Sequence, residues 1–165
     1  MDINTLEKIL IENCKPPARI AVLGSGNYLR ADDFLGVTII QNLKEQLKND
    51  SILLLEAETA ANEFFPTILE WKPTHLIIID AADFKAEPGT FNLIKREKMV
   101  TYTLTSHKRA LTLLIDLTKH YFPDLKFIII GIQPETIDFK IGLSHSIKET
   151  VQKLTKLLIS VLSCL

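Results

Sequence analysis

Gly24-Ser25-Gly26-Asn27-Tyr28-Leu29-Arg30-Ala31-Asp32-Asp33-Phe34-Leu35-Gly36 follows directly on the apolar run from Arg19 to Leu23. An apolar strand that ends in Gly-x-Gly and leads through paired aspartates into Phe34-Leu35-Gly36-Val37 puts carboxylates at the carboxyl edge of a sheet. In open α/β sheets that edge is where ligands bind. The plainer reading gives Gly24 and Gly26 only the backbone freedom of a tight turn, and Asp32 or Asp33 only a helix cap. A dinucleotide site fits less well: the third glycine of G-x-G-x-x-G is absent, and two acids would repel a phosphate. A cation suits the position better.

Outward from this stretch, strand and helix signals alternate. Ile52 to Leu55, Leu76 to Ile79 and Phe127 to Ile130 are further unbroken apolar runs, and a shorter strand is expected around Phe91 to Ile94 after the Pro88-Gly89 turn. Between them, Leu35, Ile39, Ile40, Leu43 and Leu47 recur at helical spacing, as do Ala110, Leu111, Leu114 and Leu117 within a helix expected over Ser106 to His120. Thr59 to Trp71 reads as helical up to Pro73, and Ser146-x-x-Glu149 reads as a capping box opening a last helix. Strands without polar alternation are covered on both faces, so the fold class is α/β, a three-layer sandwich whose mostly parallel sheet carries helices on each side.

A chain of 165 residues with 47% hydrophobic content holds one sizeable core, so a single domain over 1–165 is expected. Ile3, Leu6, Ile9 and Leu10 give an N-terminal helical extension over 1–17, ahead of the main α/β domain over 18–165. The net charge of −1, with Lys and Arg dispersed, leaves no footprint for nucleic acid. No apolar stretch approaches the roughly 20 residues of a membrane span, so neither membrane insertion nor export is expected and the reading is cytoplasmic. Cys14 and Cys164 lack metal-ligand spacing and read as ordinary thiols. No G-x-S-x-G elbow follows a strand, which leaves serine nucleophile chemistry unsupported.

Loops leaving parallel strands share one edge, so Asp33, Asp80 after Ile77-Ile78-Ile79, and His107 in Thr105-Ser106-His107 can converge despite their separation. Two carboxylates and an imidazole form an oxygen and nitrogen donor set suited to nickel or zinc. Each also has a bland reading, as a solvated strand end or a first-turn surface residue, and Asp83 competes with Asp80.

Gly24-Ser25-Gly26-Asn27 with Asp32-Asp33 and Gly36, then Ile79-Asp80-Ala81, Pro88-Gly89, Ser106-His107 and Gly131-Ile132-Gln133-Pro134-Glu135, resemble in order and spacing the hydrogenase maturation endopeptidases. The Gly-Ile-Gln-Pro segment is most similar to the branch serving hydrogenase-3-type enzymes. The resemblance implies a twisted sheet flanked by helices and an endopeptidase that removes a C-terminal peptide from the large-subunit precursor of a nickel-iron hydrogenase after nickel insertion. It further implies that Asp33, Asp80 and His107 are both the catalytic residues and the metal ligands, with nickel as the cofactor, supplied by the precursor. The family pattern Asp-Gly-Gly-Thr or Ser is replaced here by Glu56-Ala57-Glu58-Thr59, so Glu56, Glu58 and Thr59 stand where substrate contacts are expected. A non-cleaving, nickel-sensing maturation chaperone for the same precursor is the alternative, and a phosphate-binding α/β domain a third reading.

Overall fold

The unbroken apolar runs become strands of one sheet, wholly buried at 20–23 and 76–79 and mostly half-buried at 52–55 on its edge. The computed structural model describes residues 1–102 and 108–165, with the backbone alone at 99 and 100. Five strands, β1 (Ile20–Ser25), β2 (Ile52–Glu58), β3 (His75–Ala81), β4 (Phe91–Leu93) and β5 (Lys126–Ile132), lie in the order β2-β1-β3-β5-β4. All neighbours are parallel except β4, which runs antiparallel to β5 at the edge. β1 and β3 are buried at every position, as strands covered on both faces must be.

The helices are α1 (Ile3–Asn13), α2 (Leu35–Gln46), α3 (Phe65–Trp71), α4 (Arg96–Tyr102), α5 (Lys108–Tyr121) and α6 (His145–Leu162). α1, α2 and α6 cover one face through a cluster that includes Leu6, Leu10, Ile39, Leu43, Leu154 and Leu158. α3 and α5 cover the other, where Ile68, Leu111, Leu114 and Ile115 meet Leu23, Leu76 and Ile78. Leu6 and Leu10 of α1 are wholly buried. At about 1.5–3 kcal/mol for each buried leucine, against a total stability of about 5–15 kcal/mol, α1 is part of what holds the sheet.

Local chemistry moves two helix boundaries. α3 begins later than the spacing predicts, after a 3-10 turn over Ala61–Phe64, because Pro66 lacks an N–H and fits only a helix's first turn. α6 opens at His145 with Ser144 as its N-cap, so Ser146 is not the cap. Both hydroxyls are taken up elsewhere, Ser144 by Asp32 and Ser146 by Glu135. The helix expected over Ser106 to His120 corresponds to α5, Ser106 and His107 lying outside the described residues, and α4 has no counterpart in the sequence reading.

The chain leaves β1 through α2 to reach β2 on one side, then returns through α3 to β3 on β1's other side. The crossovers therefore diverge between β1 and β3, and such a divergence opens a crevice at the carboxyl ends of the two strands.

At the opposite, amino edge, His75 is 5% exposed. Its ring Nδ1 lies 2.8 Å from the Thr74 hydroxyl. Burial holds its pKa below the ordinary 6.5, and Lys126 adds to the effect. The unfolded chain thus takes up this proton more readily than the folded one. Stability should be flat above pH 6.5 and fall as the pH drops through the interval between the unfolded and folded values. Urea titrations of the wild type and His75→Gln at several pH values check this: the variant should lose part of the acid slope, and an identical slope in both would assign the effect to other groups.

Candidate active site

The crevice between β1 and β3 is shaped by backbone meeting backbone. A Cβ on Gly24 would fall on the carbonyl of Gly36, and a Cβ on Gly36 would fall on the carbonyl of Ile79 and lie 2.5 Å from that of Ser25. No larger residue fits either place, so the first turn of α2 rests directly on the ends of both strands. Gly26, at φ 152°, allows the same closeness to the Asp33 carbonyl. The 3-10 turn Ala31–Phe34, which carries both aspartates, is pressed onto the carboxyl end of β3.

Asp32 and Asp33 are both wholly buried, yet they face different partners. Asp33 Oδ2 accepts the N–H of Asn27 at 2.9 Å, and the Asn27 side chain accepts the N–H of Leu29 at 2.9 Å. Asp32 instead gathers the loop between β5 and α6. Its carboxylate accepts the N–H groups of Glu135 at 3.0 Å, Thr136 at 3.1 Å and Ser144 at 2.6 Å, and the Ser144 hydroxyl at 2.9 Å. Asp32 therefore does not cap α2.

Asp80 lies at the penultimate position of β3, 3% exposed and paired in register with Gly131. It has the parity of Leu76 and Ile78, so its side chain leaves on the α3 and α5 side of the sheet. Asp33 and Asp80 thus flank the divergence point, one from the turn after β1 and one from the end of β3. Asp83 is engaged by its neighbour: Lys85 donates its backbone N–H at 3.0 Å and its ammonium, which holds the Asp83 carboxyl below the usual range. Gln133 is buried, and its side-chain oxygen accepts the Phe84 N–H at 2.7 Å and pins the loop after β3. His107 lies outside the described residues. Among the described residues no three His, Cys, Asp or Glu side chains are grouped to hold a metal.

The segment Glu56-Ala57-Glu58-Thr59 divides. Glu56 faces α2, where Lys44 at 2.6 Å and Gln41 at 3.0 Å bind its carboxylate, and the Lys44 bond lowers its pKa. Glu58 and Thr59 are exposed. Strand register slips by one residue here, Gly24 opposite Glu56 but Ser25 opposite Glu58, and the Glu58 carbonyl accepts the Gly26 N–H at 3.0 Å. Glu58 carries φ 43°, so the left-handed backbone persists without glycine.

Two substitutions test this architecture. Asp32→Ala strips a buried acceptor from four donors and should cost about 3 kcal/mol or more in urea unfolding; a loss under about 1 kcal/mol would mean that the loop before α6 is held by other contacts. Glu58→Gly should raise stability by about 0.5–1 kcal/mol, the relief of about 1–2 kcal/mol of left-handed strain less the added chain entropy of glycine. A lower melting temperature for Glu58→Gly would contradict the strain.

The hydrogenase maturation protease family model matches residues 37–161. The hydrogenase 3 maturation protease of Escherichia coli K12 is 27% identical over 128 residues, which span 77% of this chain and 80% of that protein. Among solved structures, a NiFe hydrogenase maturation protease, HycI, from Thermococcus kodakarensis aligns with TM-score 0.83 at 27% identity, covering 93% of this chain and 98% of that one. The hydrogenase maturating endopeptidase HybD of E. coli aligns with TM-score 0.74 at 26% identity, covering 87% and 91%. The five-stranded order and the carboxylates at its divergence point thus stand in a chain that belongs to the hydrogenase maturation protease family.

Proposed function

We propose that this chain removes the C-terminal peptide from the nickel-loaded large-subunit precursor of a nickel-iron hydrogenase, working in the cytoplasm. The observation that carries the reading is the pair of buried carboxylates, Asp33 and Asp80, flanking the point where the crossovers diverge. Among the described residues no helix is long and apolar enough to cross a membrane. The left-handed backbone retained at Glu58 keeps the loop after β2 in a glycine-type course, which favours the cleaving enzyme over a non-cleaving chaperone.

Peptide hydrolysis needs a base for the attacking water and an acid for the departing amine. A carboxylate serves both in turn: it takes a proton from water as the oxygen bonds to the carbonyl carbon, then returns it to the nitrogen as the C–N bond breaks. Asp33 and Asp80 are the groups assigned to this exchange. The nickel belongs to the precursor and is part of the substrate. Two carboxylate oxygens, with His107 as a nitrogen donor, are the set assigned to recognise it, and hard or borderline donors of this kind suit a divalent ion. Cys14 takes no part, since burial pushes its thiol up to about 11.

Mass spectrometry of the purified precursor, incubated with this protein, is the test. Nickel-loaded precursor should lose its C-terminal peptide and nickel-free precursor should not; equal cleavage of both would remove nickel recognition, and cleavage of neither would remove the enzyme. Asp33→Asn and Asp80→Asn should each lower kcat/KM by about 10² to 10⁴, with melting temperatures near that of the wild type. Full activity in both would move the chemistry away from this edge.

A further inference from the structure

Eight large apolar side chains are exposed among the described residues, and four of them, Tyr28, Leu29, Phe139 and Ile141, lie on two segments bonded to each other. Phe139 is 78% exposed and Ile141 59%. Scattered exposed apolar residues require no explanation, but a cluster of them marks a contact surface. The two segments are joined as a short ladder: Arg30 bridges Lys140, the Ala31 N–H donates to the Lys140 carbonyl at 2.6 Å, and the Lys140 N–H donates to the Leu29 carbonyl at 3.1 Å. Asp32 anchors the same loop through its bonds to Thr136 and Ser144, and Tyr28 packs edge-on against Phe34. The apolar side chains are held out on a fixed ledge.

That ledge adjoins the site, because Asn27, next to Tyr28, donates its N–H to Asp33. Two exposed cations, Arg30 and Lys140, sit between the apolar side chains, and neither has an ion pair among the described residues. The nearby acids are turned to local donors: Asp138 accepts the Thr136 hydroxyl and Glu135 the Ser146 hydroxyl. The complement of such a surface is an apolar segment that carries a carboxylate. A second copy of this chain fits poorly, since a two-fold contact through the ledge would set Arg30 and Lys140 against their own equivalents.

We propose that this ledge docks the precursor protein, seating an apolar, carboxylate-bearing segment of it beside Asp33; the proposal rests on the processing function given above. The test measures binding of the organism's own nickel-loaded large-subunit precursor to immobilised full-length protein. Phe139→Ser with Ile141→Ser should weaken Kd at least tenfold, and Arg30→Glu with Lys140→Glu should do the same while flattening the salt dependence. All four positions are exposed, and circular dichroism melts of both variants should match the wild type. An unchanged Kd in both folded variants overturns the proposal, as does absence of binding by the wild type. A wild-type dimer in sedimentation that both variants dissociate would assign the ledge to a second copy instead. If the wild type binds precursor through the ledge but mass spectrometry shows no cleavage, the docking surface stands and the processing reading falls.

Discussion

Everything at the carboxyl edge depends on one contact in which no side chain takes part: the carbonyl of Gly36 against Gly24, and Gly36 in turn against the carbonyls of Ser25 and Ile79. Packing at side-chain distance would lift α2 off the strand ends and carry the Ala31–Phe34 turn with it. Because interiors are close-packed and relax only partly, that displacement could not be absorbed by small adjustments. The aspartates occupy a crevice only because the backbones are in contact.

From that contact the two aspartates divide their tasks. Asp32 accepts four hydrogen bonds and fixes where the loop before α6 crosses the edge. Asp33, one residue on, accepts the Asn27 N–H and belongs to the turn after β1, beside the divergence of β1 and β3. A buried carboxylate that satisfies four donors is tied to one geometry. Neighbours in sequence therefore differ in partners because the 3-10 turn points them in different directions.

Much of this was legible from the residues alone. Ile77-Ile78-Ile79 has no polar alternation because β3 is covered on both faces, and the placement of Asp33 and Asp80 at one edge follows from the shared direction of parallel strands. Glu56 could have been assigned to α2 by parity, since it alternates with Ile52 and Leu54, which pack on the α2 side. The hidden part is non-local. Asp32 binds residues 103 to 112 positions away, and no local pattern announces such partners. Gln133, 49 positions from Phe84, is hidden for the same reason. α4 opens on Arg96-Glu97-Lys98, a charged start with no apolar period, and the proline at position 66 trimmed α3 from within an otherwise helical stretch.

The two thiols have a practical consequence. Cys14 is buried beneath the α1 and α6 contact, while Cys164 is exposed just past the end of α6. The 18 residues of α6 carry the chain about 27 Å from Ser144, at the carboxyl edge, to the amino edge, where Asn49 holds the Leu162 and Leu165 carbonyls. A maleimide dye would therefore attach at one place on the native protein, far from the aspartates, and reaction of the second thiol would report that α1 had come away from the sheet.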